Sequence, residues 1–469
     1  MAVVWALALA VVAGAMRVGT AHGANAPRWA PLAKRVADQA ARVRLDEPNA
    51  PGGLGWGAGI TPVTQQVIDE DRAFRADALS ELIAIERSGA TLSPRARADA
   101  ASLRGRLEQW AIDRDELRRF ETDPGYVCPR VDDTLRELLA GRPGALCRRL
   151  PLATRRLRAV PELLRAAKVG LREPSPLSIE FAIARLTRAL ELYRKTMPSA
   201  LLDCRESGAM AHFATADTLA VRALEQHIEW LRGPALERAS GEGRMGRERF
   251  ARWLAAATGD TLSLDSLRAR AQRELDAMGP LADLPGYVVS ADSARSVATV
   301  RLLEGRARRN GPGSSRWLRT VLGRREVALA WAPYAAAIRE GSRGGASASV
   351  RFAPSRLDLV GALAELDLQT GAAPFGDVMQ RFVRDAGLDT GSARFAAEAS
   401  VITPARAVTT LATWNLEALR AETVRALPSR FSAEVFLREV IEAGAVPVPA
   451  IRDEALLRLH ARNASAAGQ

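Results

Sequence analysis

The chain has 469 residues, 48% hydrophobic and 26% charged, which suits a large buried core and excludes global disorder. Its formal net charge is +12, but lysine occurs only at Lys34, Lys168 and Lys195, and the remaining cations are arginines interleaved with acids. This pattern reads as a solvated, salt-bridged surface, and without an interleaved aromatic-and-basic platform no nucleic-acid partner is expected.

The first element is an apolar run, "MAVVWALALAVVAGAM", of about 15 residues, shorter than a confident membrane span and right for a signal-peptide core. Ala21 and Gly23 supply small residues before a cleavage point at Ala24, so residues 1–23 read as a signal peptide, with an uncleaved N-terminal anchor as the alternative. Either way the protein is expected outside the cytoplasm, in a periplasm or the extracellular space. No later segment is long and apolar enough to span a membrane. Residues 24–59 read as a flexible N-terminal segment ending in the Pro- and Gly-rich "NAPGGLGWGAGITP".

From residue 60 to 455 the periodicity predicts a single large helical domain. "VTQQVIDEDRAFRADALSELIAIERS" repeats apolar residues every three or four positions. "SPRARADAASLRGRLEQWAIDRDELRRF" opens with Ser93 as N-cap and Pro94 at the first helical position. "LPLATRRLRAVPELLRAAKVGL" reads as helix with a break at Pro161. "SPLSIEFAIARLTRALELYRKTM" and "ATADTLAVRALEQHIEWLRG" follow, the second stopped by Gly233 and Pro234. "GRERFARWLAAATG" and "TLSLDSLRARAQRELDAMG" close the first half. Residues 281–345 loosen into Gly-, Ser- and Arg-rich stretches. Helical periodicity resumes in "RLDLVGALAELDLQTG" and continues to 455, leaving 456–469 as a tail. The class is all-α, and no fixed-period repeat, Walker loop or dinucleotide fingerprint is present.

Three cysteines, Cys128, Cys147 and Cys204, form no C-x-x-C motif. Cys128 and Cys147 flank the short helical "DDTLRELLAG" and either pair or remain thiols. The mature chain keeps three histidines, His212, His227 and His460. His227 lies two residues before Glu229, about 200° apart on a helix, so the two cannot reach one ion. Helical zinc pairs need i, i+4 spacing, and position 231 is Leu231. His227 therefore reads as a packed or half-exposed structural histidine. No G-x-S-x-G elbow accompanies these histidines.

Several phrases in fixed order resemble one family, the domain of unknown function 885. They are "ELRRFETDPGYVCPRVDDTLRELLAG", whose D-P-G-Y is similar to the family's D-P-x-x-Y, "LPLATRRLRAVPELLRAAKVGLREPSPLSIEFAIARL", "WLRGPALERASGEGRMGRERFARWL" and "ITPARAVTTLATWNLEALRAETVRALPSRFSAEVFLREVIEAGAVPV". The resemblance covers residues 60–280 and 350–455. It implies a zincin-like, multi-helix scaffold of predicted zinc metallopeptidases, with chemistry in an H-E-x-x-P-G-H-H motif and a later E-G-W-A-x-Y motif. Here both are degenerate. "LAWAPYAA" aligns with the second: Trp331, Ala332 and Tyr334 match, and Leu329 stands in place of the glutamate. "LEGRARRN" aligns with the first: Leu303 replaces the leading histidine, Glu304 survives, and Arg309 and Asn310 replace the later pair. No histidine occurs between His227 and His460. No zinc or other cofactor is expected. The expected function is a catalytically inactive, metallopeptidase-like exported protein with a binding or structural role, its partner a peptide or envelope protein. The alternatives are a hydrolase with a relocated site near Glu304, Arg309 and Tyr334, and an electrostatic binder of anionic polymers or membrane surfaces.

Overall fold

The computed structural model describes residues 29–43, 62–88, 92–131, 146–201, 204, 208–281, 318–319, 322–324, 326–331, 352–427 and 431–466. Among the described residues the secondary structure is helical, with no strand. The helices are α1 (Trp29–Val43), α2 (Gln65–Arg87), α3 (Pro94–Ala111), α4 (Leu146–Gly170), α5 (Pro176–Glu191), α6 (Ala209–Trp230) and α7 (Arg247–Thr258). They continue with α8 (Leu264–Ala277), α9 (Arg356–Thr370), α10 (Phe375–Ala386), α11 (Thr390–Ile402), α12 (Ala405–Ala426), α13 (Ala433–Ala443) and α14 (Val448–Ala466).

Local chemistry sets many of the ends. Ser93 Oγ accepts the Ala96 N–H at 3.2 Å, and Ser175 Oγ accepts the Ser178 N–H at 3.0 Å, each with proline at the first helical position. Ser355 and Asp358 form a reciprocal capping box at the start of α9. α9 and α10 stop at Gly371 and Gly387, whose φ values of 74° and 67° suit glycine.

Three apolar clusters organise the packing. The first joins α1, α2 and α3 through Leu32, Val36, Leu82, Leu103 and Leu107. α1 thus places residues 29–43 in a helix that buries Leu32, Ala33, Val36 and Ala37, within the span the sequence reading assigned to a flexible segment. The second cluster is built mainly from α4, α5 and α6. The third and largest surrounds α9, which contacts α7, α8, α10, α11 and α12. α3 links the clusters by packing on α7 and α14. A Cβ at Gly105 of α3 would sit 2.4 Å from the Ala256 carbonyl oxygen on α7, so only glycine allows that approach.

Three local expectations are corrected. α4 does not break at Pro161: it runs unbroken through Pro151 and Pro161. A mid-helix proline costs ~3 kcal/mol, but Leu157, Val160, Leu163 and Leu164 on this stretch are all buried in the second cluster, which offsets it. Cys147 pairs not with Cys128 but with Cys204, 57 residues on, with their Cα atoms 5.4 Å apart. Cys128 keeps its thiol, buried with Sγ 3.8 Å from the Ala182 carbonyl oxygen of α5. The bond ties the start of α4 to the approach of α6, its main packing partner. α14 continues to Ala466 and buries Leu459, beyond the boundary expected at residue 455.

Candidate functional site

Of the positions aligned with the degenerate motifs, Leu303, Glu304, Arg309, Asn310 and Tyr334 lie outside the described residues. Leu329 and Trp331 lie on a helical stretch, 326–331, whose Val327, Ala328, Ala330 and Trp331 enter the largest core cluster. Leu329 is part-buried, whereas Trp331 is 0% exposed and its indole Nε1 has no hydrogen-bond partner. Just upstream, the Arg324 N–H donates to the Ala445 carbonyl at 2.7 Å, fixing this stretch against the loop after α13.

The Arg324 side chain is buried, with its guanidinium 5.6 Å from the Trp253 ring and Nη2 without a hydrogen-bond partner. Burial pulls its pKa down, opposed by the more distant charges of Glu326 and Asp113. Asp113 is itself engaged: it accepts the Trp253 indole N–H at 3.1 Å and Arg119 Nε at 3.0 Å. Arg119 reaches Asp123 at 3.6 Å as well, so a chain of alternating charges runs from this point to the turn after α3.

The buried polar groups of α9 face the same core, and each is occupied in holding a neighbouring helix. Glu365 accepts the backbone N–H groups of Arg406 and Ala407 at 2.9 and 2.7 Å, capping α12 from outside. Burial nevertheless pushes its carboxyl up to about 8, against the pull of those amides and of Arg406. Asp367 takes Arg268 from α8 at 2.6 Å and Arg381 from α10. Gln369 accepts the Met245 N–H at 3.1 Å and donates to the Ser400 and Val401 carbonyls at 2.9 and 2.6 Å. A sequence reading treats acids at helical spacing as solvated. The signal that could have separated these is that α9 is apolar on every face, so its acids had to be buried.

Among the described residues no group of three or more His, Cys, Asp or Glu is placed to hold a metal ion. His212 and His227 share α6 but are about 22 Å apart along its axis. His460 is exposed on α14. His227 is 5% exposed with its ring 5.3 Å from Trp230, whereas Glu229 is exposed, so the two face apart as the helical geometry requires. Burial, reinforced by the Lys168 charge, lowers the His227 pKa to about 4.

Residues 54–280 match the family described as bacterial protein of unknown function (DUF885). The fold is similar to that of a candidate lipoprotein of unknown function from Shewanella oneidensis, with a TM-score of 0.60 and 13% identity over 92% of this chain and 100% of that one. A candidate lipoprotein from Colwellia psychrerythraea gives a TM-score of 0.59 and 12% identity over 92% of this chain and 99% of that one. No curated protein matches the chain.

Proposed function

We propose that the chain is a catalytically inactive, metallopeptidase-like protein of the cell envelope that binds a peptide or partner protein rather than hydrolysing it. The observation that carries this is local. Leu329 occupies the position where the resembling family keeps a glutamate, and Arg324, five residues earlier, is buried with Nη2 unmatched. An apolar side chain cannot ligate zinc, and the buried Arg324 guanidinium has no lone pair to offer a metal. Around this point the helices are held by ion pairs and caps centred on α9, so the frame does not need a metal to stand.

Two features support an envelope location: the N-terminal apolar run and the Cys147–Cys204 disulfide, a bond suited to an oxidising compartment. No helix among the described residues is long and apolar enough to cross a membrane. The test is a hydrolysis screen of the purified protein against mixed peptides with and without added zinc. The expected result is no turnover in either condition. Turnover that a chelator abolishes and zinc restores would overturn the proposal.

A further inference from the structure

Charge is not spread evenly over this chain. α4 carries six arginines and one lysine against a single acid, Glu162, so its 25 residues supply a net +6 of the chain's +12. Arg149 is part-buried and Arg156 buried, and the other cations of the helix face solvent. At about 100° per residue, Arg148, Arg155, Arg158 and Arg165 fall within one arc of about 100°, along roughly 26 Å of the helix. Glu162 lies in the same arc and is taken by Arg165, whose Nε donates to it at 2.9 Å. Arg148, Arg155 and Arg158 have no ion pair or side-chain hydrogen bond among the described residues. Even with Glu162 counted against its four arginines, the arc keeps a net +3. On other helices exposed arginines meet acids, as in Arg35 with Glu81, Arg104 with Glu86, Arg252 with Glu116 and Arg452 with Glu422.

The arc is held rigidly from behind. Leu157, Val160, Leu163 and Leu164 fix the inner face of α4 in the second core cluster, and the Cys147–Cys204 bond ties its start. The arginines are therefore displayed on a preformed rod. Apolar side chains share the arc with them: Pro151 is exposed, and Val169, at its far end, is 71% exposed.

We infer that this outer face of α4 docks on an anionic phospholipid surface. The guanidinium groups meet lipid phosphates, which their two-donor fork matches, and Pro151 and Val169 touch the boundary between headgroups and acyl chains. A convex rod of arginines with apolar side chains among them suits a fluid headgroup layer. α4 has no aromatic residue, so it offers nucleobases nothing to stack on. Near an anionic leaflet each exposed cation gains roughly fivefold in partitioning. The inference rests on the envelope location proposed above and not on the loss of hydrolysis. Vesicle binding and hydrolysis are separate readouts, so either can fail alone.

The test is flotation of the full chain with vesicles of phosphatidylcholine, alone or mixed equally with phosphatidylglycerol. The mixed vesicles should carry the protein at least about tenfold better, and raising salt from about 0.05 to 0.5 M should remove most of that gain. Arg155→Gln with Arg158→Gln should lower binding to the mixed vesicles roughly 25-fold. Arg249→Gln with Arg273→Gln, at exposed positions of α7 and α8, removes the same charge and should lower it less than about threefold. All four side chains are exposed, and circular dichroism confirms that both variants fold. Equal flotation with both vesicle types would assign binding to the N-terminal apolar run, and equal loss in the two double variants would assign it to net charge. Binding of inorganic polyphosphate through Arg155 and Arg158 without flotation would give the face to a soluble polyanion. Any of these results, or no flotation at all, would overturn the inference.

Discussion

Replacing both disulfide cysteines, as Cys147→Ser with Cys204→Ser, isolates one covalent contribution to the fold. The bond closes a loop with a sequence separation of 57, and the chain-entropy relation gives about 4 kcal/mol of stabilisation for that length. The loop encloses α4 and α5 and ends just before α6, so the loss falls on the second core cluster. In urea the wild-type protein should lose its unfolding midpoint advantage by about 1–2 M on going to the double variant. Thiol counting provides the internal control. The unreduced protein should show one titratable thiol when denatured, Cys128, and three after reduction. In the native state Cys128 should be inert, because it is 1% exposed. Three thiols without reduction, or an unchanged midpoint in the double variant, would refute this reasoning.

Three further outcomes follow from buried charges. His227 has its folded pKa depressed to about 4 from 6.5, so its stabilisation is present above pH 6.5 and lost as pH falls toward 4, by about 3 kcal/mol in all. His227→Leu should flatten that acid limb in pH-dependent urea melts, and an unaltered limb would assign the acid sensitivity elsewhere. Glu365 has its folded pKa raised to about 8 from 4.5, so stability should fall as pH rises across that window, by up to about 5 kcal/mol. Glu365→Gln, which mimics the protonated group, should lose this slope; a slope of the opposite sign in the wild type would mean the capped carboxylate is ionised. Arg319, 2% exposed, pairs with Asp99 and Glu454 and donates to the Ala443 carbonyl at 2.8 Å. Arg319→Met should cost about 3–5 kcal/mol by leaving two acids buried without it, and a loss below 1 kcal/mol would show that water reaches them.

The class and many helix limits were legible because they are set locally. Ser93 with Pro94, and the acid-and-apolar periodicity of α2, carry their own signals within a few residues. Features that depend on distant partners were not legible. Pro161 looks like a break until the packing of α4 on α6 is known, and the partner of Cys147 lies beyond α5. The clamps on α9 pair across distances such as Glu365 to Arg406, so local charge pattern reveals none of them. His227 shows the opposite case: helical geometry alone separates it from Glu229, and the structure places them on opposite faces.

Zinc stoichiometry tests the proposed loss of a working metal site most directly. The purified protein, equilibrated with a slight excess of zinc and then desalted, should retain well under 0.1 zinc per chain, roughly the level of weak surface carboxylate binding. Retention near one zinc per chain, lost together with peptide hydrolysis on chelation, would contradict it.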